Sequence, residues 1–195
     1  QHGRFVIYVI HEAEKLNEHS QNAMLKTLEE PPSFCVIILV CSRPEELLPT
    51  IHSRCQMVRF GPVERGTVLK VLKQRGVMDS AAGYWAGFCE GSLGQALVWA
   101  TLDCEGKRIY DIKKEIVTQL GGFQLADTIE FAEKLSQSAK LVSTSLGKVS
   151  GDVSATDLNR RGQKLMIQMI LWAVCDVLRV SLGVRDGLVN ADQAG

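Results

Sequence analysis

The most constraining feature of the sequence is a helix-forming segment that two prolines bring to an end. Residues 22–32 read Asn-Ala-Met-Leu-Lys-Thr-Leu-Glu-Glu-Pro-Pro, and their apolar side chains recur at the spacing that gives a helix one apolar face. Proline cannot continue a helix, because it lacks the amide proton and clashes with the preceding turn. The segment therefore predicts an amphipathic helix that ends before Pro31, with Asn17 or Ser20 as its N-cap.

Apolar runs rich in β-branched residues lie on both sides of this helix. Phe5 to Ile10 and Phe34 to Val40 have the length and composition of buried strands. Strand, helix and strand in this order predict a right-handed parallel crossover. Gln56 to Phe60 alternates polar and apolar residues, which predicts a last strand. A domain seldom opens on a central strand, so we expect the sequence to be part of a longer chain.

Residues beyond Gly61-Pro62 carry helical patterns only. Three short segments separated by glycine predict a compact three-helix unit at 61–104. These helices are expected at 63–76, 81–90 and 92–102.

The rest of the chain, 105–195, also predicts an all-helical segment. Helices are expected at about 107–120 and 124–135, and the second has an apolar stripe of Leu125, Ile129, Ala132 and Leu135. Residues 136–157 are rich in serine, threonine and glycine, which predicts a loose loop. Asp157 is then expected to cap a long helix whose apolar stripe comprises Met166, Ile170, Ala173, Val177 and Val180.

Composition limits the classes of function. The chain has 22 basic and 22 acidic residues, so its net charge gives no electrostatic argument for binding nucleic acid directly. The six cysteines contain no Cys-x-x-Cys pair, and no metal site is predicted. No apolar run reaches the roughly 18 to 20 residues of a membrane span, and we expect a soluble, cytoplasmic protein without a membrane partner.

Four short segments follow the predicted strands and helices and carry the candidate chemistry. Polarity changes sharply where the first predicted strand ends, so that strand ends at a polar tip. An arginine in a loop offers permanent charge and a planar fork suited to phosphate. The segments are His11-Glu12, Cys41-Ser42, Ser53-Arg54-Cys55 and Gly91-Ser92-Leu93-Gly94.

Together with residues 22–32 and the order of strand, helix and strand, these segments resemble the second half of the ATPase domain in the clamp-loader subunits of bacterial DNA polymerase III, which are AAA+ proteins. The resemblance is closest to the delta-prime branch. It implies an α/β plus all-α fold in three parts. These are the C-terminal half of an AAA+ RecA-like parallel-sheet domain at 1–60, a small three-helix lid domain at 61–104, and a helical collar domain for oligomerisation at 105–195.

The resemblance also implies roles for the candidate residues. His11 and Glu12 match a degenerate Walker B motif, in which histidine replaces the aspartate that serves magnesium. Cys41 or Ser42 matches the first sensor, and Gly94 stands where active ATPases carry the arginine of the second sensor. Arg54 matches an arginine finger that acts in trans on the ATP of a neighbouring subunit.

Simpler interpretations of the same residues stay open. Glu12 is also consistent with a solvated glutamate at the start of a helix. Ser42 is consistent with a turn in which the serine side chain forms a hydrogen bond with the backbone. A lone arginine such as Arg54 is usually a surface residue.

The resemblance implies that this segment binds no cofactor, since the sequence contains no phosphate-binding Gly-x-x-x-x-Gly-Lys-Ser/Thr loop. ATP and magnesium would lie on the neighbouring subunit. The implied partners are the gamma or tau and delta subunits, with the sliding clamp and primed DNA reached through the assembly. The alternatives are a fragment of a hydrolysing gamma or tau ATPase, and an AAA+ protein or interaction module outside replication.

Overall fold

A computed structural model describes residues 6–151 and 153–193 of the chain. The chain divides into two compact units, Gln1–Phe60 and Gly61–Gly195.

The first unit is built on a parallel strand-helix-strand crossover. β1 and β2 pair in parallel with Val6 opposite Cys35 and His11 opposite Val40, which confirms the predicted parallel pairing. Phe5, the expected first residue of β1, lies outside the described residues. The elements are β1 (Val6–His11), a 3-10 turn (Ala13–Lys15), α1 (Glu18–Glu29), β2 (Cys35–Val40), a second 3-10 turn (Pro44–Glu46) and α2 (Pro49–His52).

Helix α1 has the boundaries that its local sequence predicts. The side-chain oxygen of Asn17 accepts a hydrogen bond from the Ser20 amide at 2.8 Å, so Asn17 is the N-cap. The helix ends at Glu29, ahead of Pro31.

The two strands keep much apolar surface exposed, and the predicted third strand is absent from the first unit. Ile7 is 60% exposed and Tyr8 58% exposed. Residues 56–60 form no regular structure. An extended segment becomes a strand only when a neighbour takes up its backbone hydrogen bonds, and no described strand pairs with this one, so the prediction of a strand at Gln56 to Phe60 is wrong.

The second unit is helical and begins with three short helices around an aromatic core. Tyr84 and Trp85 are buried and meet edge to face with their ring centroids 4.8 Å apart. The helices are α3 (Arg65–Gln74), α4 (Asp79–Phe88) and α5 (Leu93–Thr101).

The same core continues into the remaining helices of this unit. Buried residues from Val68 on α3 through Met169 on α8 to Val189 form one hydrophobic cluster. A division into 61–104 and 105–195 therefore stays a prediction. The remaining elements are a short hairpin of β3 (Asp103–Cys104) and β4 (Lys107–Arg108), α6 (Ile109–Gly121), a 3-10 turn (Leu125–Asp127), α7 (Thr128–Val149), α8 (Ala155–Ser181) and a last 3-10 turn (Ala191–Gln193).

The predicted loop at 136–157 is wrong, because most of it is helical. Helix α7 runs to Val149 and α8 starts at Ala155. Ser143, one of the small residues that suggested a loop, is buried on α7 and donates to the Asn159 side chain of α8 at 2.7 Å. A Cβ at Gly162 would collide with the main-chain oxygen of Ala139 and lie 3.2 Å from its carbonyl carbon, so the two backbones touch.

Two predicted details of these helices are also wrong. The N-cap of α8 is Ser154, whose hydroxyl accepts from the Asp157 amide at 3.1 Å, and Asp157 lies inside the first turn. In the apolar stripe predicted for the helix at 124–135, Leu125 is 89% exposed and lies in the 3-10 turn before α7, while Ile129 on α7 is 75% exposed. The face of α7 that packs inward is set by Val142 and Leu146, which lie beyond the predicted end of the helix.

The apolar stripe predicted for α8 is only partly buried. Met166 and Ala173 lie in the core, but Val177 is 68% exposed. Met169, which the prediction passed over, has no exposed surface. The true buried face is Leu158, Gly162, Leu165, Met166, Met169, Ala173 and Asp176.

The segment after α8, residues 184–193, folds back on the second unit, and we call it the strap. Asp176 of α8 is buried, and its carboxylate accepts from the amides of Val189 at 3.1 Å and Asn190 at 2.7 Å. These bonds satisfy a buried charge with main-chain donors.

A buried ion pair holds the end of the strap. Lys113 of α6 has no exposed surface, and its Nζ lies 2.7 Å from both carboxylate oxygens of Asp192. The Tyr110 hydroxyl donates to the same carboxylate at 2.8 Å. Burial lowers the pKa of Lys113, while the Asp192 carboxylate acts in the opposite direction.

Candidate functional site

The carboxyl ends of β1 and β2 meet at one edge of the sheet, as parallel pairing requires. Glu14 lies just after β1 and Ser42 just after β2, and the Ser42 hydroxyl donates to Glu14 Oε1 at 2.6 Å. The Ser42 amide donates to the same oxygen at 3.2 Å. These two bonds tie the ends of the strands together.

Glu14 is a buried acid that the sequence reasoning passed over. It is 9% exposed, and the hydrogen bond from the Ser42 hydroxyl is the main cause that lowers the pKa of its carboxyl. Its second oxygen, Oε2, is buried without a hydrogen-bond partner among the described residues. The site thus holds a fixed negative charge with one unused acceptor.

His11 and Glu12 lie at the same strand end but do not join this contact. His11 is the last residue of β1 and is exposed. Glu12 adopts a left-handed backbone conformation with φ 52° and ψ 47°, and its carboxylate pairs with Lys15 at 2.7 Å in an exposed position. The left-handed residue turns the chain at this point, so that Glu14 is the acid beside Ser42.

The two candidates after β2 have different surroundings. Cys41 is a half-buried free thiol. Ser42 has one hydroxyl proton, and it is donated to Glu14, so this hydroxyl is left with acceptor capacity only. In this arrangement Ser42 cannot also donate to a phosphate oxygen.

Gln21 of α1 positions the segment that leads to Arg54. Gln21 is 4% exposed. Its side-chain oxygen accepts from the Leu48 amide at 2.8 Å, and its nitrogen donates to the Leu16 carbonyl at 2.9 Å. A buried glutamine that satisfies both ends in this way fixes the start of α2 against α1.

Arg54 follows α2. It contacts the C-terminal end of α1, whereas Gln21 lies near the N-terminal end of the same helix. The Nε of Arg54 donates to Glu29 Oε1 at 2.9 Å, and its Nη2 contacts the same oxygen. Its Nη1 donates to the Thr50 carbonyl and the Ser53 hydroxyl, each at 3.0 Å. The Arg54 side chain is 32% exposed, so the guanidinium is held in a defined position with part of its surface in solvent.

The neighbouring Cys55 is half-buried, and burial raises the pKa of its thiol. A thiol with a raised pKa is a poor nucleophile at neutral pH. The raised pKa therefore does not favour a nucleophilic role for Cys55.

Gly94 lies on α5 in the second unit. A Cβ built there meets nothing within 4 Å, so the backbone leaves room for a side chain at this position. Gly91 differs, because its φ of +85° and a Cβ 2.5 Å from Pro62 Cβ both require glycine. The main-chain oxygen of Gly91 accepts from the Val63 amide at 3.0 Å, which closes the start of the unit against α4 and α5.

The described part of the chain holds no group of three or more His, Cys, Asp or Glu side chains suited to a metal ion. Among the helices within 6–151 and 153–193, none is both long enough and apolar enough to cross a membrane.

Comparison with known proteins gives matches to replication proteins. Residues 1–64 match the family described as DNA polymerase III, delta subunit. The tau/gamma subunit of DNA polymerase III from Haemophilus influenzae is 51% identical over 53 residues, which are 27% of this chain and 8% of that protein.

Two further relatives match over a similar length. The gamma subunit of DNA polymerase III from Buchnera aphidicola is 40% identical over 70 residues, 36% of this chain and 19% of that protein. The replication factor C small subunit of Methanococcus vannielii is 33% identical over 70 residues, 36% of this chain and 22% of that protein. The matched segments thus span less than a quarter of these relatives, and they support a resemblance to clamp-loader AAA+ proteins without selecting one subunit type.

Proposed function

We propose that this chain is a subunit of a DNA polymerase III clamp loader that resembles delta-prime. It acts as a stator that hydrolyses no ATP and lends Arg54 to the ATP site of a neighbouring subunit during loading of the sliding clamp on primed DNA. The similarity over residues 1–64 supports the clamp-loader part of this proposal.

The contacts that hold Arg54 in place are the observation that supports its proposed role as an arginine finger. A finger needs a guanidinium at a rim, held in place yet partly exposed, so that a phosphate from outside can reach it. Arg54 meets these conditions, because Thr50, Ser53 and Glu29 hold it while 32% of the side chain stays exposed.

Three features favour a stator over a hydrolysing subunit. His11 offers an imidazole where a hard magnesium ion prefers carboxylate oxygen. The Glu12 carboxylate is paired with Lys15 in solvent, and Gly94 brings no charge to a nucleotide.

An exposed apolar stripe on α8 supports assembly with other subunits. It lies opposite the buried face of the helix, and its members are each between 49% and 80% exposed. An apolar stripe of this length in solvent is typical of a protein interface. Its residues are Ile167, Leu171, Val174 and Leu178 on α8 and Leu182 immediately after the helix.

Arg54→Ala in the full-length chain tests the finger in a reconstituted loader. We expect DNA-stimulated ATP turnover to fall by up to about 10³, the lower end of the range for arginine fingers, while the ring still assembles. Arg59→Ala, which removes an exposed arginine of the same unit, should leave turnover unchanged. Equal turnover in the Arg54→Ala and Arg59→Ala loaders would remove Arg54 from the reaction.

A second candidate is a hydrolysing subunit of the gamma or tau type. The 51% identity to the tau/gamma subunit of Haemophilus influenzae favours it. Titration of ATP into the full-length chain, with hydrolysis followed, separates the two candidates. A stator of the proposed kind should give no hydrolysis on its own, whereas a motor subunit should bind and hydrolyse ATP.

A further inference from the structure

The contact between Arg54 and Glu29 suggests how the proposed finger is controlled. Within the described residues the guanidinium makes four contacts: Nε and Nη2 with Glu29 Oε1, and Nη1 with the Thr50 carbonyl and the Ser53 hydroxyl. A guanidinium has five N–H donors. Only one is left for a ligand while all these contacts hold.

A phosphate group needs at least two donors for the forked contact that arginine makes best. Nε and one Nη form that fork, and Glu29 occupies both of them. An incoming phosphate would therefore compete with the Glu29 carboxylate for the same edge of the guanidinium, and the two negative groups would repel each other if both stayed.

Helix stability does not explain a glutamate at this position. Glu29 is the last residue of α1, and a carboxylate at the C-terminal end of a helix faces the negative end of the helix dipole. The positive charge of Arg54 offsets that repulsion, so the ion pair stabilises the charged form of Glu29 as well as the position of Arg54.

The contact is suited to reversible release. The side chains of Arg54 and Glu29 are 32% and 49% exposed, and ion pairs this open to water are weak. Thr50 and Ser53 accept hydrogen bonds from Nη1, which does not contact Glu29. The guanidinium therefore stays in position when the contact with Glu29 breaks.

We propose that Glu29 is a latch that occupies the phosphate-binding edge of Arg54 in the resting chain and is displaced when the neighbouring subunit presents the ATP phosphates. This inference rests on the proposed trans role of Arg54. It assigns Glu29 a regulatory function in which no covalent bond changes.

The test uses Glu29→Gln in the full-length chain within the reconstituted loader, with ATP as the probe. Glutamine keeps the size of the side chain and removes its charge. The ATP concentration for half-maximal DNA-stimulated turnover should fall about two- to five-fold, the range expected for an exposed ion pair. Glu30→Gln is the matched control, since it removes the same charge one residue later, where no hydrogen bond or ion pair to Arg54 is formed.

The double variant Glu29→Gln with Arg54→Ala should behave as Arg54→Ala alone, because a latch acts only through the residue it holds. If Arg54→Ala reduces turnover but Glu29→Gln matches Glu30→Gln, the latch is refuted and the finger stands. If Glu29→Gln reduces turnover, Glu29 positions Arg54 for the reaction, and the latch is again refuted. If Arg54→Ala has no effect, the proposed finger fails and the latch fails with it.

Discussion

Replacing Asp192 by asparagine should strongly destabilise the second unit, because it leaves a buried ammonium without its counter-ion. Lys113 has no exposed surface, and its Nζ bonds both oxygens of Asp192 at 2.7 Å. Removing one partner of a buried pair typically costs about 3–5 kcal/mol. Asparagine can still accept one hydrogen bond, and Asp192 is 17% exposed, so we expect about 3 kcal/mol.

The opposite substitution should cost less. Lys113→Met fills the buried space with an apolar chain and leaves the Asp192 carboxylate, which can turn toward water. We expect a loss of about 1–2 kcal/mol, since replacing a buried charge by an apolar group removes its desolvation cost. Asp186→Asn is the control for Asp192→Asn, because it removes the same charge from the exposed part of the strap. It should change the free energy of unfolding by no more than about 0.5 kcal/mol.

Urea unfolding followed by tryptophan fluorescence measures these differences, since Trp85 is buried in the same core. The midpoint should fall in the order Asp186→Asn, Lys113→Met, Asp192→Asn with an unchanged dependence on urea. An Asp192→Asn variant as stable as Asp186→Asn would show that the Lys113 charge is met in some other way, and the account of the strap would be wrong.

Two further substitutions probe the second unit. Gly162→Ala should cost about 1–3 kcal/mol of stability, because its Cβ would collide with the Ala139 carbonyl. Gly83→Ala on α4, where a Cβ meets nothing within 4 Å, should instead stabilise the protein by up to about 1 kcal/mol. Thermal unfolding compares the two variants, and a higher melting temperature for Gly162→Ala would contradict this. Burial raises the pKa of Cys89 from 9.0 to about 12, so the folded state holds this proton more tightly and its contribution is complete below pH 9 and lost as pH rises toward 12. Between about pH 9 and 10.5 the parent chain should lose about 1.6 kcal/mol more than Cys89→Ala, since the loss approaches about 1.36 kcal/mol per pH unit once the unfolded thiol is ionised. Parallel urea midpoints for the two chains would count against this.

Local signals explain what the sequence predicts well in the first unit. The cap at Asn17, the stop at Pro31 and the two β-branched runs each depend on neighbours within a few residues, and helix α1 and the parallel pairing follow from them. The strand expected at Gln56 to Phe60 failed because a strand also needs a partner, which its own residues do not encode.

Helix α7 shows the opposite case. Its serine, threonine and glycine residues are weak helix formers, and contacts with α8 stabilise this part of the helix. The hydroxyl of Ser143, for example, donates to the Asn159 side chain of α8 at 2.7 Å. Such a contact depends on two helices at once and is not visible in a local pattern.

The candidate site was predictable in position but not in detail. Parallel strands had to bring the ends of β1 and β2 together, and they do. Which acid meets Ser42 depended on the left-handed turn at Glu12, and no signal in the sequence marks that conformation for a glutamate. The partner of Arg54, Glu29, lies 25 residues away along the chain, and the helical pattern of its segment gives no indication of a contact with Arg54.

The close crossing at Gly162 also limits how this sequence can change over time. The obstacle to a larger residue is the main-chain oxygen of Ala139, and every amino acid carries that atom. No substitution at position 139 can make room, so a mutation at Gly162 has no compensating partner directly opposite it. While the two helices keep this spacing, any side chain at position 162 has to push the two backbones apart, and the single glycine inside the long helix is what permits their close crossing.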